Sequence, residues 1–217
     1  MNYIIPVHNE AANISNVVRD IFSYDVEPHI CIINSASSDE SMELVRGYQV
    51  DVIDAPQGYS HALSHGYQYA LKMGWDSLIQ LDGDGQHHPM YAQGMHGLLR
   101  DADWVIGSRN STGSHGNWGV RLSSWVGASF LLSEHLNDPS SGYWALNKMM
   151  INRFADLFPI LYTELPLRMS QMGTARIHEY PIPMGPRKQG VSMNSGWKGV
   201  LHGFRMMRYA YRIQKKP

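Results

Sequence analysis

The sequence predicts an α/β domain in which helices flank a mostly parallel central sheet. Short apolar segments alternate with segments of helical period through the first half of the chain. The apolar segments are hydrophobic on both faces, as expected for buried parallel strands. A length of 217 residues suits one domain and is enough to bury a large core.

The elements predicted in the first half alternate between strand and helix. Apolar residues at helical spacing over 14–22 predict the first helix. Ser37 and Glu40 have the spacing of a capping box and predict a second helix. A third helix is predicted over 60–73 and ends at Gly74. Strands are predicted at Tyr3–Val7, His29–Asn34, Val50–Ala55, Ser77–Asp82 and Trp104–Ser108.

The second half of the chain begins with a different composition. Ser, Gly, Thr and Asn dominate residues 110–117, which predicts a loop, and a turn is predicted at 138–142. The other predicted elements are helices at 121–135, 148–158, 164–172 and 197–213, and a strand at 175–182.

Composition and charge narrow the class of protein. Cys31 is the only cysteine, which excludes an intrachain disulfide and a four-cysteine zinc site and fits a reducing cytoplasm. No segment has the ~18 apolar residues of a membrane span, and the N-terminus lacks the features of a signal peptide. Residues 1–179 carry a formal charge of −9 and residues 180–217 a charge of +8. The basic end predicts an anionic partner, and nucleic acid is disfavoured because the acidic remainder would repel it.

The motif with the clearest chemistry follows the fourth predicted strand. Asp82 and Asp84 stand two residues apart in a glycine-rich turn, and Gln86 follows them. Carboxylate and amide oxygens are the ligands that Mg²⁺ and Mn²⁺ prefer. Two solvated acids in an ordinary Asp-Gly turn are the alternative interpretation. His87 and His88 are weak candidates for ligands, since adjacent side chains rarely converge on one ion.

A second motif, Ile4–Glu10, covers the end of the first predicted strand and the turn after it. Asn9 can cap the helix that follows, and Glu10 can favour its dipole. The functional alternative is that this turn contacts a nucleotide, since ligands of parallel α/β sheets bind beyond the carboxyl ends of the strands.

Five motifs in order resemble those of the inverting family 2 glycosyltransferases, in particular dolichol-phosphate mannose synthases and bacterial polyprenyl-phosphate enzymes. The resemblance covers the chain from Tyr3 to about Ser195 and implies the GT-A fold. The motifs are Ile4–Glu10, Asp82–Gln86, Val105–Arg109, Asp138–Gly142 and Pro181–Ser192.

The resemblance implies a donor site with a divalent metal. Asp82, Asp84 and Gln86 would hold Mg²⁺ or Mn²⁺ on the donor diphosphate, and Asp84 would be catalytic. The residues implied in binding the nucleotide-sugar donor are Pro6, Val7, Glu10, Ser35, Asp82, Gly83 and Arg109.

The same resemblance implies an acceptor site in the second half. Arg121 and Arg187 would act in catalysis by binding phosphates. Ser141, Gly142 and Ser192 would contact the acceptor. The domain over 1–217 would then comprise a nucleotide-sugar half at 1–109, an acceptor half at 110–195 and a basic amphipathic helix at 196–217.

The sequence departs from the family at several of these positions. Asn34-Ser35 replaces the usual Asp-Asp pair, so the aspartate that normally holds the base is missing. Tyr59 stands in the segment that usually reads Gly-Lys-Gly, His8 replaces a common tyrosine, and Trp144 replaces a common arginine. These departures predict an altered donor preference or weak activity.

The predicted reaction is transfer of a hexose from a GDP- or UDP-sugar to a polyprenyl or dolichyl phosphate. A metal and arginines would stabilise the diphosphate leaving group. A phosphate acceptor is already anionic, whereas a saccharide hydroxyl would need a base, for which Glu164 is the candidate. The alternatives are therefore a transferase to saccharide hydroxyls in cell-surface polysaccharide synthesis, and a non-catalytic sugar-nucleotide-binding subunit.

The basic end of the chain predicts where the reaction occurs. A basic amphipathic helix can lie on an anionic membrane surface. The alternative is that its apolar residues pack on the core. The sequence thus predicts a cytoplasmic protein, peripheral on the cytoplasmic face of a membrane, with a membrane-anchored partner subunit as a further possibility.

Overall fold

The computed structural model describes residues 1–109, 136–138, 141–160 and 175–183. These residues include seven β-strands: β1 (Asn2–Val7), β2 (His29–Ser35), β3 (Asp51–Ala55), β4 (Ser77–Gln80), β5 (Trp104–Ser108), β6 (Trp144–Asn147) and β7 (Ile177–Pro181). The seven strands form one sheet in the order β3-β2-β1-β4-β6-β5-β7.

The sheet is parallel except at one strand. β1 pairs in parallel with β2 and β4, β2 with β3, and β5 with β7. β6 runs antiparallel to both of its neighbours, β4 and β5. The predicted α/β architecture is confirmed, and so are the strands predicted from the sequence, although β4 ends at Gln80, two residues before the predicted end. β6 was not predicted.

The two longest helices of the described residues pack on opposite faces of the sheet. The helices of these residues are α1 (Ile14–Tyr24), α2 (Tyr59–Lys72), α3 (Ala92–Gly97) and α4 (Lys148–Leu157), with 3₁₀ turns at Glu40–Met42, Pro89–Tyr91 and Leu98–Arg100. α1, α2 and α4 were predicted, and Gly74, at φ +69°, follows α2 as expected. The predictions at 121–135, 164–172 and 197–213 lie outside the described residues.

The predicted capping box at Ser37 was wrong. Asp39, not Ser37, caps the segment, and its carboxylate accepts from the Ser41 amide at 3.0 Å. The Ser37 hydroxyl instead accepts a hydrogen bond from the Asn9 amide at 3.2 Å. The element that follows is a single 3₁₀ turn and not an α-helix.

Two hydrophobic clusters cover the two faces of the sheet. Alternate residues of β1 enter different clusters, since Ile4 packs with the tryptophans and Ile5 packs with α1. The first cluster includes an aromatic group in which the Trp104 and Trp144 rings lie 4.9 Å apart. Burial of each such large side chain contributes about 1.5–3 kcal/mol to stability.

The carboxyl ends of β1, β2 and β4 meet at one edge of the sheet because these strands are parallel. The segments that follow them carry the first polar motif, Ser35 and the acidic turn. The fold therefore brings together three parts of the chain that the sequence separates.

Among the described residues, no helix has both the length and the apolar character needed to cross a bilayer.

Candidate functional site

The acidic turn packs against the end of β1. A Cβ atom added at Gly83 would lie 3.0 Å from Cγ2 of Val7 and 3.4 Å from the Pro6 carbonyl oxygen. The absence of a side chain at Gly83 thus allows the turn to approach the two residues predicted to contact the donor. Gly85 has φ +75°, a conformation that glycine adopts at little cost. The Asp84 carboxylate accepts from the Gln86 amide at 3.0 Å, which closes the turn.

The Asp82 carboxylate is held by side chains from two directions. The Tyr59 hydroxyl, at the start of α2, donates to Oδ1 at 2.9 Å. His87 lies on the other side, with Nδ1 at 3.6 Å from Oδ2. The backbone amide of Asp82 donates to the same Nδ1 at 3.3 Å. Both the main chain and the side chain of Asp82 are therefore oriented by residues that lie near it in space.

His87 is a buried, neutral residue beneath this turn. Its ring stacks on Tyr143 with centroids 5.2 Å apart. The pKa of His87 is lowered to about 4, chiefly by burial and also by nearby Arg109, while Asp84 and Asp138 act in the opposite direction. Because Nδ1 accepts from an amide, the proton of the neutral ring is assigned to Nε2. The sequence suggested His87 as a weak metal-ligand candidate, and its burial instead suits a support for the turn.

The predicted acceptor turn lies directly against Asp82. A Cβ atom at Gly142 would stand 2.8 Å from the Tyr59 hydroxyl oxygen and 3.0 Å from Oδ2 of Asp82. Gln80, the last residue of β4, donates to the Gly142 carbonyl at 3.1 Å. Ser141 is fully buried, and its carbonyl accepts from the Trp144 indole at 2.6 Å. A glycine is required at 142 because its backbone shares this space with a carboxylate.

Arg109 is held by a carboxylate that the sequence analysis did not single out. Its guanidinium makes a two-point ion pair with Asp138, in which Nη2 donates to Oδ1 at 2.7 Å and Nε donates to Oδ2. Asp138 is almost completely buried. Glu179 orients the segment in turn, accepting from the amides of Asn137 and Asp138. The pair connects the end of β5 to the start of the acceptor turn.

Ser35 is buried where β2 ends, and its hydroxyl is engaged within the protein. It accepts from the Gly58 amide at 2.9 Å and donates to the Pro56 carbonyl at 3.3 Å. The Ser35 carbonyl accepts from Nδ1 of His8 at 2.7 Å. Ala36, the next residue, has φ +54°. The hydroxyl of Ser35, which the resemblance implies in donor binding, is therefore already bonded to Pro56 and Gly58, and its role in donor binding stays a prediction.

Glu10 joins the first turn to the neighbouring loop. Its amide donates to the Ser41 hydroxyl at 2.8 Å, and its carboxylate accepts from the Asn13 amide group at 2.8 Å. The Asn9 side chain accepts from the Ser38 amide at 2.8 Å instead of capping α1. These bonds hold the turns after β1 and β2 together.

The donor set of the acidic turn fits a divalent cation that is shared with a substrate. In the described ranges of the chain, no three acidic, histidine or cysteine side chains are grouped closely enough to hold a metal alone. Asp82 and Asp84 supply two carboxylates, and Gln86 an amide oxygen. Mg²⁺ is commonly bound by one or two carboxylates and completes its shell with substrate phosphates.

Four predicted residues lie outside the described part of the chain: Arg121, Glu164, Arg187 and Ser192. Their roles stay predictions, as does the basic helix at 196–217. The sequence analysis missed Tyr59 and Asp138 as partners of site residues. Asp138, an acid in a predicted turn, offered a weak signal, whereas nothing in the local sequence connects Tyr59 to Asp82.

Comparison with known proteins identifies relatives along most of the chain. This chain is 28% identical to an undecaprenyl-phosphate mannosyltransferase from Micrococcus luteus, over 89% of this chain and 86% of that protein. It is 27% identical to a polyprenol monophosphomannose synthase from Mycolicibacterium smegmatis, over 89% and 80% of the two chains.

Solved structures agree on the fold. Glucosyl-3-phosphoglycerate synthase from Mycobacterium tuberculosis, crystallised with Mn²⁺ and UDP-glucose, matches with a TM-score of 0.72 at 15% identity, over 96% of this chain and 78% of that one. Mannosyl-3-phosphoglycerate synthase from Rubrobacter xylanophilus matches with a TM-score of 0.71 at 13% identity, over 99% and 73%. The expected GT-A fold is confirmed.

The family profile described as Glycosyl transferase family 2 matches residues 3–157, a range that includes the acidic turn, the Arg109–Asp138 pair and the Ser141-Gly142 turn. The chain belongs to this family and is a glycosyltransferase.

Proposed function

We propose that this glycosyltransferase is a metal-dependent inverting enzyme that transfers a hexose from a nucleotide-diphosphate sugar to a polyprenyl phosphate. The observation that carries the proposal is the contact between the acidic turn and the acceptor turn. Gly142 approaches so closely that its missing Cβ would stand 3.0 Å from a carboxylate oxygen of Asp82. A donor held on that carboxylate would present its sugar to an acceptor bound at this turn.

The proposed donor site uses the ends of β1 and β4. Gly83 packs against Val7 and the Pro6 carbonyl, and a nucleotide is proposed to lie beyond this contact, at the carboxyl ends of the two strands. A divalent cation bound by Asp82, Asp84 and the Gln86 amide would stabilise the charge that develops on the diphosphate leaving group. Arg121 and Arg187 are proposed to bind phosphates of the two substrates.

The proposed acceptor is supported by the two curated relatives, whose names specify undecaprenyl phosphate and polyprenol. A phosphate monoester has a second pKa near ~6, by analogy with phosphorylated side chains, so it is a nucleophile at neutral pH without a protein base. Direct attack of this oxygen on the anomeric carbon, with departure of the nucleoside diphosphate, inverts the configuration. Ser141, Gly142 and Ser192 are proposed to line the acceptor side.

The basic end of the chain supports a reaction at a membrane. The charge of +8 over 180–217 would attract anionic head groups on a cytoplasmic surface, where a polyprenyl phosphate presents its own charge. A membrane-anchored partner subunit is a further part of this proposal.

A second candidate function is a sugar-nucleotide-binding subunit without catalytic activity. It is favoured by one observation: the hydroxyl of Ser35, which stands in place of a base-binding aspartate, is bonded to Gly58 and Pro56. This candidate predicts donor binding without transfer.

The test is a transfer assay with GDP-mannose, UDP-glucose and UDP-N-acetylglucosamine as donors and undecaprenyl phosphate as acceptor, with Mg²⁺ or Mn²⁺. One donor should yield a lipid-linked sugar, and Asp84→Asn should abolish transfer. Asp76→Asn is the matched control, since Asp76 is an exposed acid paired with Lys148 at the opposite end of β4, and it should keep full activity. Donor binding without product would favour the second candidate. Transfer to a saccharide but not to undecaprenyl phosphate would show that the acceptor is a saccharide hydroxyl.

A further inference from the structure

The residues from Pro56 to Tyr59, here called the strap, connect β3 to the start of α2. Hydrogen bonds link the strap to Ser35, at the end of β2, and to Asp82 in the acidic turn. The Ser35 hydroxyl donates to Pro56 at one end of the strap and accepts from Gly58 near the other. Gly58 has φ +128°, which a residue with a side chain rarely adopts. The next residue, Tyr59, begins α2 and donates to Asp82. Ser35 thus fixes the backbone from which the Tyr59 side chain extends.

The Tyr59 hydroxyl lies at the centre of a hydrogen-bonded group at the acidic turn. It donates to Oδ1 of Asp82 at 2.9 Å and is 3.4 Å from Nε2 of Gln80. The Gln80 amide oxygen in turn accepts from the buried hydroxyl of Tyr67. This arrangement fixes the direction of the Tyr59 hydroxyl, because Gln80 offers it a donor and Asp82 an acceptor.

We infer that Tyr59 is a positioning residue for Asp82: it holds the carboxylate in the orientation in which it receives a divalent cation, and Ser35 supports it through the strap. The inference rests on the proposed metal-dependent function. Without the phenol, Oδ1 of Asp82 loses the donor at 2.9 Å that restricts its rotation. A ligand that must be ordered on binding has a lower affinity, and loss of a hydrogen bond behind a metal ligand typically costs 10- to 100-fold.

The first experiment measures Mn²⁺ binding by electron paramagnetic resonance in the presence of GDP or UDP, because the two carboxylates of the acidic turn need substrate phosphates to complete the metal shell. The same metal and nucleotide without protein give the baseline. Tyr59→Phe should bind Mn²⁺ about 10-fold or more weakly than wild type. Tyr69→Phe is the matched control, because Tyr69 is on the same helix and donates to Asp51, at the other end of the sheet. It should bind Mn²⁺ as wild type does.

A kinetic comparison separates positioning from a structural defect. In Tyr59→Phe, the Mn²⁺ concentration needed for half-maximal transfer should rise about 10-fold, while kcat at saturating Mn²⁺ should return to the wild-type value. A damaged fold would instead lower the transfer rate at every Mn²⁺ concentration, including saturation. That result would overturn the inference.

Ser35→Ala supplies a second, independent variant, since it removes both strap hydrogen bonds and leaves Tyr59 in place. It should also weaken Mn²⁺ binding under the same conditions, and its effect should not add to that of Tyr59→Phe in the double variant. Wild-type affinity in Tyr59→Phe, or equal losses in Tyr59→Phe and Tyr69→Phe, would overturn this inference and leave the proposed function standing. Failure of the wild type itself to bind Mn²⁺ in the presence of GDP and of UDP would overturn the proposed metal-dependent function as well.

Discussion

Protonation of His87 should destabilise this protein in mild acid. The ring is buried beneath the acidic turn, and burial lowers its pKa from the ordinary 6.5 to about 4. The unfolded chain therefore binds a proton that the folded chain excludes throughout this interval. The free energy of unfolding is unaffected by the group above about pH 6.5 and falls as the pH decreases towards 4, by about 3 kcal/mol in total at 1.36 kcal/mol per pH unit.

The assay is urea unfolding of the metal-free protein at about pH 7 and at about pH 4.5, followed by tryptophan fluorescence. Between these conditions wild type should lose about 2 kcal/mol more than His87→Asn does, because the variant has no imidazole to protonate. His88→Asn is the matched control, as His88 is the exposed neighbour, and it should lose as much as wild type. Equal losses in wild type and His87→Asn would refute the reasoning.

Other substitutions test separate parts of the site. Gly142→Ala should fold but should transfer sugar at least about 10-fold more slowly, because its Cβ would displace Asp82. Steady-state kinetics at saturating metal would measure this loss. Arg109→Ala should lower the free energy of unfolding by about 3 kcal/mol, because it removes the guanidinium that pairs with the buried Asp138 carboxylate. A loss below about 1 kcal/mol in urea unfolding would argue against the pair. Asn147→Ala removes the side chain that caps α4 and should cost about 1 kcal/mol by the same assay, with activity retained.

The central parallel strands β1, β2 and β4 could be predicted because they are buried on both sides. Apolar residues on both faces of β1, such as Ile4 and Ile5, are used by different hydrophobic clusters. β6 was missed because its four residues lie between a turn and α4, with no turn signal to separate strand from helix. The capping box failed at Ser37 because a hydrogen bond to Asn9 from another part of the chain replaced the local one.

The candidate site could be predicted only where its chemistry is local. Asp82 and Asp84 form a recognisable pair because the turn that joins them is continuous in sequence. Tyr59 could not be connected to Asp82 from sequence, since 23 positions separate them. The contact exists because β3 ends, and α2 begins, at the edge of the sheet where the acidic turn lies. The partner of Arg109 lies 29 positions away, for the same reason.

Two glycines of this site allow neighbouring segments of the chain to approach each other closely. Gly83 allows the turn to approach β1, and Gly142 allows the acceptor turn to approach the carboxylate. A side chain at Gly83 would press on Val7, and one at Gly142 would press on the Tyr59 hydroxyl and the Asp82 carboxylate. The close approach of the turns follows from these two positions.

The most direct test of the account is sugar transfer to undecaprenyl phosphate by wild type and Asp84→Asn, with each candidate donor and Mn²⁺. The account predicts a lipid-linked hexose from one donor with wild type and none with Asp84→Asn. Transfer by Asp84→Asn at the wild-type rate, or metal-independent transfer by wild type, would contradict it.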